Sequence, residues 1–263
     1  MLEFLKESTF KANDVFFRAL NILRKHYISV AGLCFLLFVT NNLSTFLAMY
    51  LSDITGSAVK VLLLFVFVVL FFGLQLILIK RAILLANHVE HAELMTYVPS
   101  VKQFFNFLLG LITYSILTSL IYLGCSIVCM PLLYMNVDMD TILWEINPLL
   151  TGIVMMLVLI RISFFPFFIL EKNYNVFRAG RLSVAFTKGN VVNLLILMLV
   201  LASAYILQLT FEYFDYPLLA KISSLLNTFI IIPSVSLVMA VAYVDMMKEY
   251  KGSDDPELLK NII

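Results

Sequence analysis

Long apolar runs separated by short polar stretches dominate the chain. A bilayer core of about 30 Å requires about 20 predominantly apolar residues in a helical span. Six segments meet this requirement, and we predict transmembrane helices at approximately 28–51, 59–83, 105–134, 149–170, 191–212 and 218–245. Serine and asparagine residues interrupt the sixth segment, which indicates a helix that faces other helices rather than lipid.

Amphipathic segments precede the odd-numbered spans, at 3–26, about 95–104 and about 174–188. One broad apolar face of the first is formed by Phe4, Leu5, Phe10, Val15, Phe16, Leu20 and Leu23. Helices of this type lie in the membrane interface, with their charged side chains at the headgroups. We therefore predict one all-α membrane domain over 1–263, built from three transmembrane hairpins, each preceded by an interfacial helix. Its ends are a cytoplasmic amphipathic helix at 1–27 and a cytoplasmic tail at 246–263.

The positions of lysine and arginine predict the orientation of these spans. Of the 18 basic residues, all except Lys60 and Lys221 fall on the same side of the six predicted helices. Basic residues accumulate on the cytoplasmic side of membrane proteins. Both termini are therefore expected in the cytoplasm.

The overall composition supports a membrane protein and excludes several other classes. Hydrophobic residues make up 62% of the chain, charged residues 13%, and the mean hydropathy is +0.99. A soluble domain is usually about 45–50% apolar and about 25% charged. The net charge of +1 gives no overall field that would attract nucleic acid, so we expect no nucleic-acid partner.

Arg161 is the most conspicuous polar residue because it lies within the fourth apolar segment. An arginine at the centre of a span costs about 2.5–3.5 kcal/mol on insertion scales, and such residues are often functional. Pro166 is expected to free backbone carbonyls and end the helix early, which would bring Arg161 closer to water. Asp245 is a candidate ion-pair partner. A structural ion pair or a snorkelling arginine, and a role in binding a substrate or a lipid headgroup, both stay open.

Four uncharged polar residues, Asn41, Asn42, Gln75 and Gln208, are candidates for lining a cavity within the predicted spans. The alternative, which the sequence favours, is that these side chains form hydrogen bonds between helices, each worth less than about 1 kcal/mol. Coupled transporters usually carry Asp, Glu or His at mid-membrane. The sequence places none there, which argues against ion-coupled transport.

Motifs for catalysis and metal binding are missing from the sequence. It contains no nucleophile elbow, phosphate-binding loop, dinucleotide fingerprint or Cys-x-x-Cys pair. His88 and His91, with Glu90 and Glu93, lack the order found in zinc hydrolases. We therefore predict a non-enzymatic protein with no metal site and no cofactor.

The stretch that starts at Arg161 resembles a known group of membrane proteins. It contains, in order, Arg161, Pro166, a polar turn at 171–173, a short helix with Ala179 and Ser183, and the 187–190 turn. This pattern is similar to bacterial six-helix membrane proteins related to the membrane domain joined to some glycerophosphodiester phosphodiesterases. Pro233, followed by Ala242 and Tyr243, is similar to that group as well.

The resemblance implies a bacterial plasma-membrane location and the three-hairpin arrangement, but no enzyme activity. The phosphodiesterase activity of the fused relatives belongs to a separate soluble barrel, and this sequence lacks its His-Arg-Gly catalytic start. The resemblance therefore assigns no catalytic or binding residue.

The basic residues of the fourth connection point to lipid as the partner. Arg178, Arg181 and Lys188 are expected at the level of anionic headgroups, where each contributes about 1 kcal/mol of attraction. Together with Arg161 they are our candidates for binding a lipid headgroup. We expect a lipid-binding or membrane-organising protein. The alternatives are a transporter or permease for a small or amphiphilic solute and, less favoured, a membrane enzyme acting on lipid.

Overall fold

The computed structural model describes residues 11–50, 56–89, 94–135 and 137–250. All regular structure in these ranges is helical. The α-helices are α1 (Ala12–Tyr50), α2 (Ser57–Ala86), α3 (Leu94–Tyr97), α4 (Val101–Cys129), α5 (Met139–Thr141), α6 (Asn147–Ile162), α7 (Phe165–Lys172), α8 (Val176–Phe186), α9 (Val191–Tyr213), α10 (Pro217–Leu226) and α11 (Ile232–Tyr250). A 3₁₀-helical segment at Met130–Met135 extends α4.

Six helical stretches in the described ranges are long and apolar enough to cross a membrane. They are Ala12–Leu47, Ala58–Ala86, Val101–Tyr134, Met139–Lys172, Val191–Tyr213 and Pro217–Lys248. The last five contain the predicted segments in full, and the first overlaps the predicted segment 28–51 over residues 28–47. The predicted all-α, six-span membrane fold is confirmed.

The first helix contains both the predicted interfacial helix and the first span. His26 within α1 has non-helical dihedral angles, φ −118° and ψ 22°, so the chain changes direction close to the predicted boundary at residue 27. Before this kink, Val15, Ala19 and Leu23 are buried against the bundle. Phe16 and Leu20 of the predicted apolar face are half-buried, and Phe4, Leu5 and Phe10 lie outside the described residues.

The second predicted interfacial helix, at about 95–104, is shorter in the structure. The single turn α3 ends at Tyr97, and α4 begins at Val101. Pro99 disfavours helix continuation at the preceding residue. Ser100 then starts α4 with a capping box, in which its hydroxyl accepts from the Gln103 N–H and its own N–H donates to the Gln103 side chain. The third predicted interfacial helix corresponds to α8.

The most densely packed part of the bundle lies around α7 and the second half of α11. α2 packs on α1 and α11, α4 on α6, α7 on α8, and α9 on α10. Tyr243 of α11 is buried among four phenylalanine rings, with centroid distances of 5.2–6.1 Å. These rings belong to Phe164, Phe167, Phe168 and Phe186. The Tyr243 hydroxyl donates to the Glu171 carboxylate at the end of α7.

A π-helical turn at Asn227–Ile231 connects α10 to α11 within the sixth span. Insertion of one such turn changes the hydrogen-bond pattern of a helix locally and leaves a carbonyl open to another donor. The Tyr27 hydroxyl donates to the Phe229 carbonyl over 3.1 Å. This bond ties the sixth span to α1 just after the kink at His26.

Candidate functional site

The fourth span is broken between α6 and α7. α6 ends at Ile162, Phe164 has dihedral angles of −95° and 0°, and α7 begins at Phe165. Pro166 causes this break, because it has no N–H to donate to Ile162 and its ring clashes with that carbonyl. The expected early end of the helix is therefore confirmed, and Arg161 lies in the last turn of α6. The partial negative charge of a helix carboxyl end favours a cation there.

Ser183 of α8 satisfies the backbone groups that the break exposes. Its hydroxyl donates to the Arg161 carbonyl over 2.9 Å and accepts from the Phe164 N–H over 3.1 Å. Thr187 adds a longer bond of 3.4 Å to the same carbonyl. Both hydroxyl-bearing residues are fully buried. α8 is thus fastened to the break, and this contact sets where Arg161 lies relative to the basic residues of α8.

Three cations line one cavity beside the break, which we call the basic pocket. It has a volume of about 1080 Å³. Arg161 enters it from the end of α6, Arg181 from the exposed face of α8, and Lys188 from the turn after α8. Among the described residues, no carboxylate lines this pocket. Three cations that line one cavity attract an anion.

The other walls of the basic pocket are mainly apolar. They consist of Gly110, Thr113, Tyr114 and Leu117 from α4, Ile162, Phe165, and Val176, Phe177, Gly180, Val184 and Ala185 from α8. Gly110 allows α4 to lie close to α7, because a Cβ atom at this position would be 2.6 Å from the Phe165 ring. Phe165 also stacks on Phe107 at 5.9 Å with an interplanar angle of 9°. The pocket therefore combines an anion-attracting rim with apolar walls, as an amphiphile requires.

Arg178 and Asp245 differ from the sequence-based expectation. The Arg178 guanidinium lies 4.4 Å from the centroid of the Tyr174 ring and does not line the basic pocket. Asp245 forms its ion pair with Arg18 of α1 and not with Arg161, so the predicted partner was wrong. The physical reason is that α11 packs against α1, whereas Arg161 faces α4 and α8.

The structure brings three of the four predicted cavity residues together. Asn41, Asn42 and Gln75 line a cavity of about 680 Å³, which we call the central cavity. Other polar residues in its wall are Tyr114, Ser163, Ser224, Thr228 and Ser236. Gln208 lies elsewhere, half-buried on α9, where it donates to Glu212 over 3.0 Å. Asn42 also donates to the Phe38 carbonyl of its own helix over 2.8 Å.

Several residues that shape the site were missed by sequence reasoning. The sequence motif contains Ser183 and Thr187 but does not show their role. The available signal was a hydroxyl residue on the apolar face of the helix that follows a proline-broken span. Gly110 and Tyr114 had no such signal, because their importance depends on how α4 packs against Phe165. Gln103 donates to the Leu170 carbonyl over 2.9 Å, which fixes the other end of α7.

The histidine cluster considered for a metal is only partly described. His88 lies two residues after the end of α2 and has a positive φ of 61°, while residues 90–93 lie outside the described ranges. Within those ranges, no three His, Cys, Asp or Glu side chains come together as metal ligands do.

Comparisons with protein-family models, with curated proteins and with solved structures found no match to this chain. The resemblance to the membrane domain of glycerophosphodiester phosphodiesterases therefore stays a prediction. The functional conclusion rests on the geometry of the basic pocket and the central cavity.

Proposed function

We propose that this is a non-enzymatic integral membrane protein that binds an anionic lipid, with the lipid headgroup in the basic pocket. One observation carries the proposal: Arg161, Arg181 and Lys188 line a single cavity whose described walls hold no carboxylate. Arg161 is half-buried, while Arg181 and Lys188 are exposed. A phosphate group at the rim would meet all three cations, and arginine can donate two parallel hydrogen bonds to it.

The apolar walls of the basic pocket favour a lipid over a free anion. Leu117, Phe165 and Val184 would contact the first carbons of the acyl chains, while the headgroup stays with the cations. Thr113 and Leu117 are exposed on α4, so the pocket is open along the side of that helix. A lipid could therefore enter laterally from the bilayer, without its acyl chains passing through water.

The proposed location is the plasma membrane of a bacterium, with both termini in the cytoplasm. The distribution of lysine and arginine supports this orientation and places the basic pocket toward the cytoplasmic leaflet. Cysteine labelling tests it: Tyr216→Cys, between α9 and α10, should react with a membrane-impermeant maleimide on intact cells. Lys172→Cys should react only after permeabilisation. The native cysteines are all buried, so background labelling should be low, and the reverse pattern would contradict the orientation.

A second candidate function is transport of a small or amphiphilic solute. Its specific support is the central cavity, which brings Asn41, Asn42 and Gln75 together within the bundle. If these side chains only hydrogen-bonded directly across tightly packed helices, they would not line a common cavity. Although most of the cavity wall is apolar, these three amides would give a passing ligand hydrogen-bond partners.

Native mass spectrometry tests the lipid-binding proposal. The full chain in gentle detergent is incubated with phosphatidylglycerol or with phosphatidylcholine, and bound lipid is counted on the intact protein. We expect retention of phosphatidylglycerol by the native protein and its loss in Arg161→Gln and Arg181→Gln. Phosphatidylcholine should be retained poorly by all forms.

The matched control is Arg178→Gln, which removes the same charge from α8 outside the basic pocket. This variant should retain phosphatidylglycerol like the native protein. Equal loss in Arg178→Gln and Arg181→Gln would show a diffuse surface attraction and would contradict a defined pocket. Absence of any preference for the anionic lipid would contradict the proposed function itself.

A further inference from the structure

Three cavities follow one another through the bundle and share wall residues. Tyr114, Ile162 and Phe165 line both the basic pocket and the central cavity. Asn41 and Phe71 line both the central cavity and a third space of about 560 Å³, which contains Lys60 near the start of α2. We call this third space the Lys60 groove. The three spaces therefore lie next to one another in a row, and these shared side chains form the walls between them.

The row runs from one end of the membrane-spanning helices to the other. Lys188 lies just before the start of α9 and Lys60 in the first turn of α2. These two residues are on opposite sides of the predicted bilayer, since the chain crosses it three times between the start of α2 and the start of α9. Gln75 lies between these levels, near the middle of α2.

The chemistry of the row changes in an ordered way along its length. Its two ends carry cations, at the basic pocket and at Lys60, and its middle carries the amides of Asn41, Asn42 and Gln75. Hydroxyl groups also line these spaces, from Thr113, Tyr114, Ser163, Thr40, Ser44 and Thr45. All of these except Tyr114 donate to a backbone carbonyl three or four residues earlier, so they offer a ligand their acceptor oxygens. Most of the remaining wall residues are apolar. In the part of the chain that the structure describes, no Asp or Glu lines any of the three spaces.

This pattern suits a phosphate-bearing headgroup that moves without coupling to an ion. Hydrogen-bond donors in the middle replace part of the water that a phosphate would lose in the bilayer core. Carboxylates would repel the phosphate, and they are also the groups that carry protons or cations in coupled transporters. Because Asn41, Asn42 and Thr45 are exposed on the surface of α1, acyl chains could remain in the surrounding lipid as the headgroup passes.

We propose that the row lets the headgroup of an anionic phospholipid pass between the two leaflets, without an energy source. This inference rests on the proposed function, because the basic pocket is where the headgroup enters from the cytoplasmic side. Tyr114 and Phe165 form the wall between the first two spaces, so their side chains would have to move for the headgroup to pass. Gln75 then receives the phosphate in the central cavity.

A leaflet-exchange assay tests the proposal. The full chain is reconstituted into phosphatidylcholine vesicles that contain a trace of phosphatidylglycerol with a fluorescent acyl chain, and dithionite is added from outside. Without exchange, only the outer-leaflet fluorescence is lost; with the native protein, we expect nearly all of it to be lost. Gln75→Leu should slow the exchange about five- to tenfold, since one hydrogen-bond donor at mid-depth is removed.

Two further variants distinguish a specific effect on the route from a general effect on folding. Gln208→Leu makes the same substitution at a half-buried position of α9 outside the row, and should exchange lipid at the native rate. Gln75→Asn keeps the amide and should restore most of the rate lost in Gln75→Leu. Equal slowing in Gln208→Leu and Gln75→Leu, or no slowing in Gln75→Leu, would overturn the route.

The same preparations distinguish this inference from the lipid-binding proposal. If the native protein retains phosphatidylglycerol through Arg181 but does not exchange it between leaflets, the route is overturned and the basic pocket stands. If it neither retains nor exchanges the lipid, both proposals fail. Release of entrapped inorganic phosphate without lipid exchange would identify a solute pathway and would also overturn the inference.

Discussion

Removal of the Ser183 hydroxyl should destabilise the protein by more than one hydrogen bond, because this hydroxyl bonds to two backbone groups. In Ser183→Ala the buried Phe164 N–H loses its acceptor, and the Arg161 carbonyl keeps only the 3.4 Å contact with Thr187. An unsatisfied buried donor or acceptor costs about 1–3 kcal/mol. The Thr187 hydroxyl lies closer to the Ser183 carbonyl, at 3.0 Å, and therefore compensates the Arg161 carbonyl only in part. We expect a total loss of about 2–3 kcal/mol in the free energy of unfolding.

Reversible unfolding in mixed detergent micelles, followed by circular dichroism, measures this loss. Ser119→Ala is the matched control, because Ser119 is exposed and donates only to the Ser115 carbonyl of its own helix over 3.1 Å. Its unfolding free energy should change by no more than about 0.5 kcal/mol. Ser183→Ala should also retain less phosphatidylglycerol, since Arg161 would no longer be held beside α8. Equal stability of the two variants would refute the fastening role of Ser183.

Two further predictions concern the packing of Gly110 and the ion pair between Arg18 and Asp245. Gly110→Ala should destabilise the protein by about 1–3 kcal/mol in the same unfolding assay, because its Cβ would meet the Phe165 ring at 2.6 Å. Gly124→Ala, on the same helix with nothing within 4 Å of its added Cβ, should instead be neutral or stabilising, and similar losses in both would contradict this explanation. A double-mutant cycle on Arg18 and Asp245 should give less than about 1 kcal/mol, falling with added salt, because half of the Arg18 side chain is exposed. A larger, salt-independent value would contradict a solvent-screened pair.

The features predicted correctly from the sequence are those that depend on local composition. Long apolar runs identify membrane-spanning helices because every backbone polar group within the bilayer must be bonded inside the segment. The break at Pro166 follows from the missing N–H of proline. The amphipathic face of α8 follows from the spacing of Val176, Ala179, Leu182, Ser183 and Phe186, all of which are buried.

The features that sequence reasoning missed depend on which helices pack together. Asp245 and Arg161 are both placed near the same predicted membrane surface, but the chain order does not show that α11 packs on α1. Arg178 and Arg181 are three residues apart on one helix, yet only Arg181 faces the basic pocket. Gln208 and Gln75 look equivalent in a list of mid-span polar residues, and only the packing of α1, α2, α4 and α11 separates them.

The dependence of α7 on later parts of the chain has a consequence for biosynthesis. When α7 leaves the ribosome, Ser183 has not yet emerged, and Tyr243 follows only near the end of the sixth span. Until then, Phe164, Phe167 and Phe168 lack the aromatic partner that α11 supplies. The fourth span therefore enters the membrane in an unfinished state, and a nascent chain arrested before α11 would present this segment to the membrane chaperones and proteases that monitor assembly.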